Sequence, residues 1–279
     1  MRTRTLLFLF CWWVLVGSLA QAAEPTRASV APATAPPVAL ITGSDRGIGF
    51  ALTKELVARG WKVVATCRDP ARAQALQEFA ASHPLVTIET LDVADTAGID
   101  ALAAKYRGKP IDALINNAGI GILAFPRANQ LDPGEFQRVM LVNTYAPLRV
   151  AGAFLEQVAA SRQRKIIAIT SSLGSLWQAP QARLSYSYNI SKAGLNMAMR
   201  LLQNEVRDRG IIVGIVHPGP VDTDMQRGYR AAAAQAGAPI TTPQLSPEES
   251  ARALVTYIET LGPEKAGRFY SYNGQEVPW

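Results

Sequence analysis

Residues Val38 to Gly60 read VALITGSDRGIGFALTKELVARG. The apolar run from Val38 to Gly43 is short and ends in glycine, which predicts a buried strand. From Gly47 to Gly60 the pattern predicts a helix closed by a glycine C-cap. At the junction, Gly43, Gly47 and Gly49 permit a tight turn and let a phosphate approach backbone N–H groups at a helix N-terminus. Their spacing, G-x-x-x-G-x-G, differs from the G-x-G-x-x-G dinucleotide fingerprint. The loop therefore draws its weight from its place, after a first strand and at the start of a helix.

The same alternation continues along the chain. WKVVATCR predicts a second strand, PARAQALQEFAAS a helix starting on Pro70, and LVTIETLDV a third strand. Ala97 to Tyr106 reads as a helix, IDALINNAG as a fourth strand, and Glu135 to Ser161 as one long helix. KIIAITSS, IIVGIVHPG and GRFYSYNG give the remaining strands, with a last helix over Pro247 to Leu261. Strands separated by helical runs predict an α/β fold: a single doubly wound parallel sheet, Rossmann-type, with helices on both faces. Such a sheet binds ligands at the carboxyl ends of its strands.

The 279 residues are 48 % hydrophobic, enough for a full core, and the net charge of +6 is modest. Basic residues form no long run and are not interleaved with aromatics, so nucleic-acid binding has no support. His83 and His217 lie far apart and no cysteine cluster exists, so no metal site is expected.

The N-terminus has another character. The basic MRTRT, the apolar LLFLFCWWVLVGSLA from Leu6 to Ala20 and the small-x-small Ala20-Gln21-Ala22 have the layout of a secretory signal. Residues 1–22 are read as a signal peptide or N-terminal anchor, residues 23–37 as an Ala/Pro-rich linker, and residues 38–279 as the folded body. The apolar run is shorter than the roughly 20 residues that span a bilayer comfortably. The expected address is export, or tethering to the membrane through this segment alone, with the cytoplasm as the alternative. Export would part the body from the cytosolic pool of a nucleotide cofactor.

The stretch SYSYNISK, Ser185 to Lys192, holds two tyrosines and a lysine. If a helix begins here, Tyr188 and Lys192 are four apart and share a face, while Tyr186 points elsewhere. An ammonium near a phenol favours the phenolate, so Lys192 is expected to lower the pKa of Tyr188. Cys67-Arg68-Asp69-Pro70 follows the second strand, where an adenosine ribose would lie. An arginine there accommodates a 2′-phosphate, and Arg68 and Arg46 are both candidates. The expected cofactor is NADP, with NAD as the alternative. Asp92 is a candidate for the adenine amine or for a helix N-cap.

Taken together, TGSDRGIG, LDV, NNAG (Asn116 to Gly119), VNTYAPL (Val142 to Leu148), ITSSLGS, YNISK and HPGPVDTDM (His217 to Met225) occur in the order of the short-chain dehydrogenase/reductase family. From Val38 onward the chain resembles the single-domain type, and is most similar to the branch of C-factor proteins and short carbonyl reductases. The resemblance implies an oxidoreductase moving hydride between nicotinamide and a small carbonyl or alcohol. Tyr188 would be the acid–base group, Lys192 would tune it and hold the nicotinamide ribose, and Asn143 would hold a water in a proton relay. Ser171, three residues before Gly174, would bond the substrate oxygen; Ser172 and Ser175 are alternatives. The cofactor would lie along Gly43, Ser44, Arg46, Gly47, Ile48 and Gly49, with Arg68, Asp92, Val93, Asn116, Ala118 and Gly119, besides Tyr188 and Lys192. Pro218, Gly219, Val221 and Thr223 would line the nicotinamide side. Gln226 to Thr242 lies where this fold carries a mobile substrate lid. Pairing of the long helix and the Tyr188 helix across a two-fold axis would give a homodimer or homotetramer. The rival reading is a non-catalytic NADP(H)-binding regulator on the same fold.

Overall fold

A computed structural model describes residues 35–121, 125–177, 185–237 and 239–279. The signal-like segment, the linker up to residue 34, and residues 178–184 between Ser175 and Tyr188 lie outside the described residues. Ala35 and Pro37 already belong to the body. The Arg162 guanidinium donates to the Ala35 carbonyl at 2.7 Å, and the Lys62 N–H to the Pro37 carbonyl at 2.8 Å.

Strands β1 (Val38–Thr42), β2 (Lys62–Cys67), β3 (Val86–Thr90), β4 (Ala113–Asn116), β5 (Lys165–Ile169), β6 (Ile212–His217) and β7 (Phe269–Ser271) form one sheet in the order β3-β2-β1-β4-β5-β6-β7. Every neighbouring pair is parallel. The order reverses between β1 and β4, the switch point where doubly wound sheets open a crevice. The helices are α1 (Gly47–Ala58), α2 (Gln74–Ser82), α3 (Thr96–Lys105), α4 (Pro133–Met140), α5 (Ala146–Ala153), α6 (Leu155–Ala159), α7 (Tyr186–Val206), α8 (Asp224–Gln235) and α9 (Pro247–Thr260).

Period-two alternation sends side chains of each strand to both faces. Leu40, Leu114 and Ile166 join a core with Val150, Phe154 and Leu195 from α5, the residue after it, and α7. Ala39, Ile41 and Ile115 join the other, with Leu52 of α1 and Leu254 of α9. Both faces are thus covered, which is why the strands read as nearly unbroken apolar runs.

Two expectations are corrected. The predicted long helix is broken into α4, a π-helical turn over Leu141–Tyr145, α5 and α6. Pro147 has no N–H to give the Asn143 carbonyl four residues back, and the backbone widens there. The helix after β2 does not start on Pro70: Pro70–Arg72 is a 3-10 turn capped by Asp69, and α2 follows. Most of the candidate lid segment is helix α8. The Thr223 side chain caps it by accepting from Gln226 N–H, and the alanines at 231–234 favour the helix.

Asp112, buried just before β4, fastens two connections. Its Oδ2 accepts from Val38 N–H at 2.9 Å, and its Oδ1 accepts from Arg162 and Gln163 N–H at 3.2 Å. Asp112→Ala strands three backbone donors and should cost about 2–4 kcal/mol. For a chain of this size that lowers the melting midpoint by roughly 5–15 °C. Differential scanning fluorimetry checks it, with Asp112→Asn expected to lose less.

Candidate active site

The site is built on the loops at the carboxyl ends of β1, β4, β5 and β6. After β1, Gly43 and Gly47 take positive φ (+70° and +54°). A side chain at Gly49 would place its Cβ 2.0 Å from the Gly43 carbonyl oxygen and 2.5 Å from Asn117 Nδ2. Only glycine lets α1 start this close to the loop. The N-cap of α1, Arg46, makes no side-chain bond to the first turn, so those N–H groups face outward uncapped. Ser44 is turned inward: its Oγ donates to the Ile41 carbonyl. Ile48 packs on the second core cluster.

Next to this loop, Asn117 Nδ2 donates to the carbonyls of Thr42 and Gly43 at 3.0 and 2.9 Å. Thr42 Oγ1 accepts from the N–H groups of Asn117 and Ala118. The sequence reading chose Asn116 from this motif and passed over Asn117. Asn116 closes β4, is buried, and its Nδ2 has no partner. The available signal was the strand end itself, since the residue after it is the first to face the loop.

Arg46 and Arg68 are exposed, and neither has a side-chain bond or ion pair among the described residues. Asp69, the acidic group after β2, is spent on its own turn: it accepts from Ala71 N–H and pairs with Arg72 at 3.3 Å. A cleft of about 410 Å³ lies beside Arg46 and is lined also by Asp45, Arg72 and Gln74. Asp92 accepts from Ala94 N–H through Oδ1 in the turn before α3, while the N-cap of α3 is Asp95. Val93 packs on the first core cluster. This cradle fits a dinucleotide: a close-approach glycine loop, uncapped N–H groups at a helix start, and two uncommitted guanidinium groups in reach of an adenosine-side phosphate.

Beyond β6, Gly219 takes φ +83° where a Cβ would press at 2.8 Å on Tyr272 and Leu245. The Pro218 carbonyl accepts from Ser250 Oγ. Val221 is buried and bridges Leu245, and the Thr223 methyl comes within 3.4 Å of the position a Gly47 Cβ would take. The β1 and β6 loops therefore close on one crevice.

Tyr188 and Lys192 stand one turn apart on the same face of α7, and Lys192 Nζ lies 5.8 Å from the centre of the Tyr188 ring. Ser171 Oγ accepts from Leu173 N–H at 3.2 Å, and its hydroxyl lies near enough to the Tyr188 phenol to favour the phenolate. Ser175 instead donates to the Pro278 carbonyl. Tyr186, at the helix start, is 45 % exposed and stands off this face. Lys192 is buried and donates to the Ile169 carbonyl at 3.1 Å, with its Nζ 3.7 Å from where a Gly119 Cβ would sit.

The expected lowering of the Tyr188 pKa by Lys192 is not met. Burial pushes the phenol up to about 12, against the nearby Ser171 hydroxyl, which lowers it. Burial likewise brings the Lys192 ammonium down to about 8. Desolvation wins because the ammonium turns to Ile169 rather than to the phenol oxygen. Tyr188 is then a protonated donor at neutral pH.

Asn143 is fully buried in the π-helical turn. Its Oδ1 accepts from Ile120 N–H, and its Nδ2 donates to the Ile120 carbonyl and to Ser191 Oγ. Both amide hydrogens are committed, so the side chain has none to give a water. Its main-chain carbonyl, deprived of an α-helical donor by Pro147, is the group left near this point.

Two aromatic residues escaped the sequence reading. Tyr229, on α8, faces the Tyr188 phenol electrostatically, and its ring lies 5.7 Å from that of Phe125. Met225, one turn earlier, overlies Gly121. No periodic pattern marks these positions as neighbours. Among the described residues no group of three or more His, Cys, Asp or Glu converges as metal ligands would.

Comparison with known proteins agrees with this architecture. Residues 37–234 match the family described as short chain dehydrogenase. The chain is 37 % identical to the C-signal protein of Myxococcus xanthus over 179 residues, 64 % of this chain and 99 % of that one. It superposes on the carbonyl reductase Sniffer of D. melanogaster with a TM-score of 0.78 at 27 % identity, covering 88 % of this chain and 100 % of the other. An NADPH-bound carbonyl reductase from chicken fatty liver gives a TM-score of 0.77 at 32 % identity, covering 88 % and 99 %. With its parallel sheet, glycine cradle and Tyr188–Lys192 pair one turn apart on α7, the chain belongs to the short-chain dehydrogenase/reductase family of oxidoreductases.

Proposed function

We propose that this protein is an NADP-dependent carbonyl reductase in which Tyr188 is the proton donor. The observation that carries the reading is the placement of Tyr188 and Lys192 on one face of α7, with Nζ 5.8 Å from the ring centre, beside the Ser171 turn and the glycine cradle. When bound, the nicotinamide supplies hydride to the carbonyl carbon. Tyr188 gives its proton to the carbonyl oxygen, and the Ser171 hydroxyl bonds the same oxygen and fixes its direction. Lys192, close to Gly119, holds the ribose side, and the Asn143 carbonyl receives the water that returns a proton.

Preference for NADP rests on Arg46 and Arg68, both uncommitted, and on Asp69 being engaged in its own turn. The NADPH-bound state of the chicken fatty liver relative supports it. The partner surface rests on apolar side chains left exposed: Leu141, Tyr145 and Leu148 at helical spacing, and Ile190, Met197 and Leu201 along α7. A second copy of this chain, related by a two-fold axis, covers both stripes.

Turnover of a panel of benzaldehydes, aliphatic ketones, 1,2-diketones and β-keto esters tests the activity. Tyr188→Phe should lower the rate at least about 10²-fold, the usual weight of a general acid, and Tyr186→Phe far less. Equal losses, or NADPH binding with no turnover of any carbonyl, would favour the regulator. Arg68→Asp should raise the Kd for NADPH by at least about tenfold and leave NADH unharmed, since it sets a carboxylate against the 2′-phosphate. Fluorescence titration measures it, and an unchanged Kd moves the assignment to Arg46. Light scattering should show a dimer or tetramer for the unaltered chain and a smaller species for Met197→Glu/Leu201→Glu.

A further inference from the structure

We infer that Asn196 is a positioning residue that sets Ser171 against Tyr188 by bridging the two ends of the loop that carries the serine. This rests on the roles assigned above to Ser171 and Tyr188. Thr170 Oγ1 donates to Asn196 Oδ1 at 2.7 Å, immediately before Ser171. Asn196 Nδ2 donates to the Gly174 carbonyl at 3.2 Å, three residues after it. Asn196 is 2 % exposed and Thr170 3 %, so both bonds are shielded from water. One amide thus ties down both flanks of the Ser171–Gly174 turn.

The contact is tight enough for the bridge to act. A Cβ on Gly174 would fall 2.8 Å from the Lys192 carbonyl carbon, so the turn lies directly on the α7 backbone. Asn189, seven residues before Asn196 and on the same side of the helix, donates to the Leu173 carbonyl at 2.9 Å. Lys192, between them, donates to Ile169. The helix that carries Tyr188 therefore grips the chain at residues 169, 170, 173 and 174, on both sides of Ser171. The Ser171 oxygen accepts from Leu173 N–H, which leaves its hydroxyl hydrogen to give to the phenol or a substrate oxygen, while its Cα is fixed relative to Tyr188. Asn196 touches neither substrate nor cofactor; it acts through Ser171.

A double-mutant cycle on kcat, read as NADPH oxidation with 4-nitrobenzaldehyde and with the fastest ketone of the panel, separates this role from general support. Ser171→Ala alone should lower kcat by about 10²-fold, as loss of one oxyanion donor does. Asn196→Leu alone should lower kcat by about 10–10²-fold, the effect of displacing a group by about 1 Å, with KM for NADPH within about twofold of the unaltered chain. The double variant should be no slower than Ser171→Ala, because Asn196 has nothing left to position. Thr170→Val should behave like Asn196→Leu, and Thr170→Ser, which keeps the hydroxyl, should restore most of the rate. This second pair serves if Asn196→Leu fails to fold. A crystal structure of Asn196→Leu or Thr170→Val should show Ser171 Oγ displaced by about 1 Å from its place beside the phenol in the unaltered chain. Additive losses in the cycle, Thr170→Ser as slow as Thr170→Val, or an unmoved Ser171 would each overturn the inference. If instead Tyr188→Phe keeps full activity, the functional reading itself fails.

Discussion

The interlock of Thr42 with Asn117 is the contact on which the rest of the site depends. β1 and β4 end side by side at the point where strand order reverses, and their loops diverge from there. Asn117 bonds two carbonyls of the first loop, and Thr42 accepts two N–H groups of the second. Four bonds in a half-buried place keep the loops from parting. They also bring Asn117 Nδ2 so close to Gly49 that no side chain fits there. The glycine spacing of the first loop is thus a consequence of the neighbouring strand, and the entrance to α1 stays open for a phosphate because of it.

The second organising element is α7, which bears Tyr188 and Lys192 and also binds their surroundings. Its inner face carries Ser191, Asn196 and Gln203 among apolar residues, and each polar group is answered by the adjoining backbone or side chains. Burial of Lys192 costs stability. Its pKa falls from 10.5 to about 8 on folding, so the unfolded chain binds the proton more tightly. The penalty, about 3 kcal/mol, is present in full below pH 8 and is relieved as pH rises toward 10.5. Bonds from α7 to the β5 loop and to β6 offset it.

The strands and most helices were legible because buried strands leave apolar runs and covered helices leave a period near 3.6. The glycine loop, Tyr188, Lys192 and Ser171 were legible as a motif in family order. What stayed hidden depends on three-dimensional detail. Spacing puts Tyr188 and Lys192 on one face but does not say that Nζ turns to Ile169, so the direction of the phenol shift was misjudged. The break at Leu141–Tyr145 had its signal in Pro147, which the helical pattern outweighed. The sequence singles out Asn143 but not which of its groups is available: its side-chain amide is drawn to Ile120 by a loop distant in sequence. Tyr229, Phe125 and Met225 meet only through tertiary packing.

The two sides of α7 link chemistry to assembly. The inner side is fixed by the β5 loop and the core, while Ile190, Met197 and Leu201 on the outer side remain exposed. Ile190 lies between Tyr188 and Lys192 in sequence, and Met197 follows Asn196 directly. Any surface that covers the outer residues therefore presses on a helix whose opposite side holds Tyr188, Lys192 and the Asn196 contact with the Ser171 turn. Helix packing has little slack, because protein interiors are close-packed and a shift on one side is felt on the other. A dimer formed on this face would restrain rotation of α7 about its own axis. That is the motion that would carry Tyr188 away from Ser171 while leaving the glycine cradle intact. Cofactor binding and proton delivery would then depend differently on subunit association: the first is built on β1 and β4, the second on α7.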